Sequence, residues 1–345
     1  MQALVYQGTG RKSLEERPMP TIQSATDAVV RIVRTTICGT DLHILEGDVA
    51  TCQSGRILGH EGTGVIESLG SAVVGFAPGD RVLISCITAC GHCGACRRGM
   101  PSHCATGGWM LGNTIDGTQA DFVRIPHATS SLHALPADVD DESAVMLSDI
   151  LPTGFECGVT NGRIAPGGTV AIVGAGPIGL ATLLTAQFYT PARIIMIDLD
   201  DHRLEVAKAL GATDVVNSST GDAGAAIRQL TDGLGVDTAI EAVGIPATFR
   251  LCERIVAAGG VIANIGVHGK PVELHLETLW SHNVTITTRL VDTVSTPMLL
   301  RTLRSRRLDP RRLVTHRFPM HDIVAAYDTF GRAAATKALK VVLDA

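Results

Sequence analysis

The stretch GTVAIVGAGPIGLATLLTAQFYTPARIIMID, residues 168–198, limits the fold of this chain more than any other. An apolar strand runs into a glycine turn, an apolar segment of helical length follows, and a second apolar strand ends on a carboxylate, as in a strand–helix–strand unit of a parallel sheet. Gly174-Ala175-Gly176-Pro177-Ile178-Gly179 has the spacing G-x-G-x-x-G at the junction of strand and helix. Glycine-rich turns of this kind are common, so the match alone is weak. Its context adds weight. Gly174 permits a tight turn, Gly176 lets the backbone approach a pyrophosphate at a helix N-terminus, and Gly179 allows close helix packing. Asp198 lies 19 residues beyond Gly179, where a carboxylate accepts both ribose hydroxyls of NAD and repels the 2′-phosphate of NADP. Asp200 and Asp201 read equally well as helix caps, and the guanidinium of Arg203 is able to accept a phosphate.

Further alternation follows in HRLEVAKALGA, DVVNSS, VDTAIEAVG, GGVIANIGV and NVTITTRLV, extending the doubly wound parallel sheet over residues 153–292. Residues 1–152 instead carry short β-like runs separated by turn signals, and the segment 293–345 returns to that texture after a polar, arginine-rich helix at TPMLLRTLRSRRL. Two domains are expected. With 45% hydrophobic and 18% charged residues the chain can bury two cores, and a formal net charge of −5 offers no basic face for nucleic acid or an anionic membrane. The N-terminus lacks the pattern of a signal peptide, and no apolar run reaches membrane-span length, so a cytoplasmic protein is expected.

A reducing compartment disfavours disulfides, which bears on the run CGHCGACRRGMPSHC at residues 90–104. Cys90, Cys93 and Cys96 open like a bacterial ferredoxin motif, but seven residues rather than three precede Cys104, and Pro101 falls inside the gap. Four thiolates at this spacing, with Gly91, Gly94 and Gly99 permitting tight reversals, suit a closed tetrahedral zinc site. Such a site supports the fold and leaves the chemistry to other residues. In the first domain Cys38 (ICGTDLH) and His60 (GHEGTG) are flanked by glycine, and Asp149 (LSDILPTGF) lies near the domain boundary. Taken singly, Cys38 reads as a small buried apolar residue, His60 as a core histidine and Asp149 as a cap or solvated carboxylate. A catalytic zinc needs three protein ligands and an open position.

In series, CGTDLH, GHEGTG, GFAPGDRV, the four-cysteine lobe, LSDILPTGF, GAGPIG and IDLDDHRLEVAKALGA resemble the zinc-dependent alcohol dehydrogenases of the medium-chain dehydrogenase/reductase superfamily. The resemblance implies a β-rich, GroES-like catalytic domain joined to a Rossmann cofactor domain. It also implies two zinc ions per subunit, one on Cys38, His60 and Asp149 and one on Cys90, Cys93, Cys96 and Cys104. Glu61 becomes an occasional alternative ligand or a support for the ligands, and some members carry cysteine where this chain has Asp149. The expected reaction is NAD-linked interconversion of alcohols with ketones or aldehydes. In it Thr40 takes the alcohol proton and relays it by the cofactor ribose towards His43, although TDLH also reads as the start of a helix. Cys86 and Trp109 correspond to positions that line the family's substrate cleft. A small residue at 86 favours secondary alcohols, while Trp109 reads equally as packing on the cysteine lobe. Polyol and threonine-type dehydrogenases of the same superfamily are the alternative, and a non-enzymatic zinc and dinucleotide redox sensor is a remoter one. A small-molecule substrate, and a homotetramer assembled in part through the sheet edge at NVTITTRLV, complete the expectation.

Overall fold

Strands rich in valine and isoleucine dominate the N-terminal segment: β1 (Gln2–Tyr6), β2 (Lys12–Glu16), β3 (Ala28–Ile37), β4 (Gly62–Leu69), β5 (Arg81–Ile84), β6 (Phe122–Ile125) and β7 (Leu132–Ala134). One eight-residue helix, α1 (Gly39–Glu46), follows β3 directly. The middle of the chain alternates strand and helix as β8 (Thr169–Val173), α2 (Pro177–Ala186), β9 (Arg193–Asp198), α3 (Asp201–Ala209) and β10 (Asp214–Asn217). It continues as α4 (Ala223–Leu230), β11 (Val236–Glu241), α5 (Pro246–Ile255), β12 (Val256–Asn264) and β13 (Thr285–Thr288). The C-terminal segment contributes α6 (Thr296–Arg304), β14 (Val314–Pro319), α7 (Ile323–Gly331) and β15 (Lys340–Asp344).

The computed structural model describes all 345 residues, which separate into two units, Met1–Asp149 with Asp292–Ala345, and Ile150–Val291. The first segment therefore ends at Asp149 rather than 152, because the helical turn Ile150–Thr153 packs on α2 and Gly154 lies against the backbone of Ala181 and Thr182. The return begins at Asp292 rather than 293.

In the first unit a seven-stranded sheet runs β14-β15-β3-β4-β5-β7, with β6 also paired to β3. Its pairs are antiparallel except β14–β15, and β1–β2 forms a separate ribbon. One core lies among Leu4, Ile37, Ile44, Tyr327 and Val341, and a second among Val30, Ile32, Ile84, Val123 and Ile125. In the second unit all six strands are parallel, in the order β10-β9-β8-β11-β12-β13. The order reverses direction between β8 and β11, which makes the crevice at their carboxyl ends the place where a doubly wound sheet accepts a ligand. No helix is long and apolar enough to cross a membrane.

Candidate metal centres and dinucleotide cleft

Cys38 is the N-cap of α1, and the Asp41 carboxylate three residues on accepts its backbone N–H at 2.9 Å. The capping role therefore belongs to Asp41, and Thr40 places its hydroxyl 3.8 Å from the Cys38 sulfur. His60, 4% exposed, enters β4 from the turn before it. These two and Asp149, which are 111 residues apart at the extremes, converge: Asp149 Oδ2 is 3.7 Å from Cys38 Sγ and 3.2 Å from His60 Nε2. Tetrahedral zinc with bonds of 2.0–2.3 Å places its ligand atoms about 3.3–3.8 Å apart, so the donor set fits one zinc ion with an open fourth position. Burial opposes a charge on the His60 ring, but Asp149, Cys38 and Asp41 outweigh it and hold the imidazole well above its ordinary value. Because a ligating imidazole is neutral, a metal must displace that proton, and metal affinity falls as pH falls.

Glu61, 1% exposed, turns Oε2 to the ammonium of Lys340 at 2.5 Å and also accepts from the Thr36 hydroxyl. It does not join the three donor atoms. Cys86 Sγ lies 3.6 Å from Asp149 Oδ1, and burial together with the Asp149 charge pushes its thiol well above the usual value. Trp109 packs on the core that contains Leu4 and Ile44 and meets His60 edge-on, with ring centroids 6.3 Å apart. His43, further along α1, faces Asp48, whose Oδ2 is 3.0 Å from Nδ1.

The lobe at 90–104 gathers its sulfurs, with Cys93 3.5 Å and Cys90 4.0 Å from Cys96 Sγ. Backbone amides of Cys96 and Ala105 lower the Cys93 thiol to about 6, while burial and the Cys93 sulfur push Cys96 up to about 12. Four thiolates share this space only around a cation, which is the condition a closed zinc site meets. Gly91 and Gly99 take positive φ as the reversals require, whereas Gly94 begins the helical turn Gly94–Arg97.

In the second unit Gly174 turns with φ 107°, a Cβ on Gly179 would stand 1.9 Å from the Gly174 carbonyl oxygen, and one on Gly176 would meet nothing within 4 Å. Gly174 is thus required by the turn and Gly179 by close packing, while Gly176 faces open space. Pro177 occupies the first turn of α2, where its missing N–H costs nothing, and Ile178 follows it. Asp198 accepts N–H groups from Ala175 at 2.7 Å, Leu199 at 2.8 Å and Asp200 at 3.0 Å, so its carboxylate is fixed beside the glycine turn. Asp200 caps α3. Gly174, Gly176, Asp198 and Arg203 line one cleft of about 760 Å³ together with Val243 and Thr248.

Sequence reasoning missed Asp41 and Lys340 as parts of the first centre. A lysine inside the apolar strand KVVLD was the available signal for the second.

Comparison with known proteins supports both units. Residues 24–137 match the alcohol dehydrogenase GroES-like domain and residues 177–303 the zinc-binding dehydrogenase domain. An alcohol dehydrogenase of Cupriavidus necator is 39% identical over 350 residues, covering 96% of this chain and 95% of that one. The NADP-dependent isopropanol dehydrogenase of Thermoanaerobacter brockii is 35% identical, covering 88% of each. The apo form of zinc dependent alcohol dehydrogenase 2 from Streptococcus pneumonia superposes with a TM-score of 0.96 at 53% identity, over 100% of this chain and 98% of that one. The chain belongs to the zinc-type alcohol dehydrogenases of the medium-chain dehydrogenase/reductase superfamily.

Proposed function

We propose that this chain is an NAD-linked dehydrogenase that interconverts secondary alcohols and ketones, with zinc held by Cys38, His60 and Asp149. The observation that carries the reading is the convergence of those three donors within 4.8 Å of one another, with Asp149 Oδ2 3.7 Å from Cys38 Sγ and 3.2 Å from His60 Nε2. Bound zinc supplies a Lewis acid for the substrate oxygen, and NAD the hydride acceptor. Thr40 and His43 lie three residues apart on α1, a spacing that puts two side chains on one helix face. The Thr40 hydroxyl receives the substrate proton and His43 carries it away. The small Cys86 side chain next to Asp149 leaves room for a second carbon substituent, and the isopropanol dehydrogenase among the relatives points the same way. Reduction of a panel of ketones and aldehydes with NADH, and oxidation of alcohols, polyols and amino alcohols with NAD, tests the reading. Ketones should lead, and failure with every carbonyl compound would overturn it.

The lobe Cys90, Cys93, Cys96 and Cys104 holds the second zinc. The NAD preference rests on Asp198. NAD is expected to exceed NADP in kcat/KM, and Asp198→Gly to narrow or reverse the gap by relieving repulsion of the 2′-phosphate. A wild-type preference for NADP sinks this assignment.

His43→Ala should retain both zinc ions and slow alcohol oxidation by up to about 10²–10⁴-fold. The defect should shrink as pH rises, since hydroxide or buffer base replaces the imidazole. Loss of zinc from this variant, or an unchanged pH profile at full activity, would make His43 structural.

Self-association through β13 is also part of the reading. β13 ends the six-stranded sheet, and Trp280 beside it is 79% exposed, with Leu276 and Leu290 also exposed. Light scattering should report a homotetramer, and a monomer overturns this.

A further inference from the structure

Gln119 is fully buried in the first unit and has no part in the proposed proton or hydride transfer. Backbone sets it beside the turn that carries His60: Thr118 N donates to the Gly59 carbonyl at 3.0 Å and Gln119 N to the Leu58 carbonyl at 2.9 Å. Gly59 turns with φ 91°, and a Cβ there would stand 2.6 Å from Gln119 Cγ. The Gln119 side chain thus packs on the residue that precedes a metal ligand. Its amide is fully used. Nε2 donates to Asp41 Oδ2 at 3.0 Å and to the Thr36 carbonyl at 3.1 Å, which fixes the orientation of the amide and leaves Oε1 to accept from the Tyr327 hydroxyl at 2.8 Å. Tyr327, on α7, is buried in the core that contains Leu4 and Ile44.

These contacts lead to the candidate zinc centre. Asp41 Oδ2 also accepts the Cys38 N–H, so two donors hold that oxygen and Oδ1 is turned towards His60 Nδ1, 3.9 Å away. That separation is too long for a hydrogen bond, and both atoms are buried without one. His60 presents its other nitrogen to Asp149, so an imidazole that gives Nε2 to a metal keeps its proton on Nδ1, the side that Asp41 faces. We propose, resting on the reading of Cys38, His60 and Asp149 as zinc ligands, that Gln119 and Tyr327 are positioning residues for that centre. Tyr327 orients the Gln119 amide, the amide fixes the Asp41 carboxylate, and the carboxylate sets the His60 ring. Without the amide, Asp41 keeps only the bond from Cys38 N. Ordering the carboxylate and the ring then falls to metal binding and subtracts from metal affinity.

Zinc affinity, read by competition with a chromophoric chelator, tests this with the four-cysteine lobe as an internal reference. Gln119→Met, which keeps the volume and removes both donors, should weaken the more labile zinc by about tenfold or more. Tyr327→Phe should weaken it by about threefold, the scale of one neutral hydrogen bond, because the amide still reaches Asp41. Adding Tyr327→Phe to Gln119→Met should change affinity by less than about twofold further, since the hydroxyl acts only through the amide. The lobe should hold its zinc as in wild type throughout. Cobalt exchanged into the labile centre should show a shifted visible absorption in Gln119→Met, which a loss of stability alone would not produce. Wild-type zinc affinity in Gln119→Met, equal losses at both centres, additive effects of the two changes or an unchanged cobalt spectrum overturns the proposal. If Gln119→Met does not fold, Tyr327→Phe decides it, and wild-type zinc affinity there overturns it. Wild-type protein that holds zinc only in the lobe overturns the zinc reading itself, and that failure is visible before any variant is made.

Discussion

Cys38→Ser is expected to abolish alcohol oxidation, by more than about 10³-fold, while one zinc ion per chain is retained. The serine hydroxyl is not ionised at neutral pH and is a poor partner for zinc, so His60 and Asp149 are left as a two-ligand remnant of the site. The neighbouring groups are poor replacements. Cys86 lies beside Asp149, but burial and that carboxylate hold its thiol well above the usual value, and Glu61 is engaged by Lys340 and Thr36. The four-cysteine lobe shares no residue with this centre and should keep its metal. Elemental analysis of the purified variant should therefore fall from two zinc ions to one, with little change in melting temperature. Cys93→Ser should do the reverse and damage the fold, since structural zinc contributes apparent free energies of about 10–16 kcal/mol in small peptides. Two zinc ions and appreciable turnover in Cys38→Ser would remove Cys38 from the metal site.

The contrast between the two centres also explains what could be read from the amino-acid order. The cysteine lobe and the glycine turn are local: their donors and turn residues lie within 15 and six consecutive positions, and ligand chemistry at that spacing leaves few alternatives. The parallel sheet was legible for a similar reason, because continuous apolar strands alternating with helices admit few topologies. Cys38, His60 and Asp149 are different. Each is unremarkable by itself, and only family resemblance grouped them, because the approach of Asp149 to the other two is made by the sheet and not by local sequence. Asp41 was not legible at all, and Lys340 only as a lysine heading an apolar strand. Its partner is fixed by strand register, which brings Lys340 to Glu61, and periodicity carries no record of which polar residue meets which. The same limit applies to Trp109, whose contact with His60 emerges only when the loop that carries it is folded.

Lys340→Met is expected to cost about 3–5 kcal/mol of stability, the scale seen when one partner of a buried ion pair is removed and the other charge is left behind. Lys340 and Glu61 are each 1% exposed and stand 279 residues apart in sequence. They meet because β15 pairs with β3, which also pairs with β4, the strand that begins just after Glu61. In the variant only the Thr36 hydroxyl still serves Oε2, and Oε1 has no hydrogen bond even in the wild-type arrangement. A drop of about 10 °C in the melting temperature follows for a unit of this size. The pH dependence has a definite sign. Burial lowers the Lys340 value, but the charges of Glu61, Cys38 and Asp149 outweigh it, so the net shift is upward from 10.5. A group with a raised folded value stabilises fully below its unfolded value and loses that contribution only as pH rises through the folded one. The gap between wild type and Lys340→Met should therefore be level from about pH 6 to 9 and close only in strong alkali. Pairing the change with Glu61→Gln removes the stranded charge, and the double variant should recover more than half of the loss. Thermal melts of the three proteins decide the matter. A single variant within about 1 kcal/mol of wild type, or a double variant no more stable than Lys340→Met, would show that the pair is not what holds β15 and the β4 entry in place.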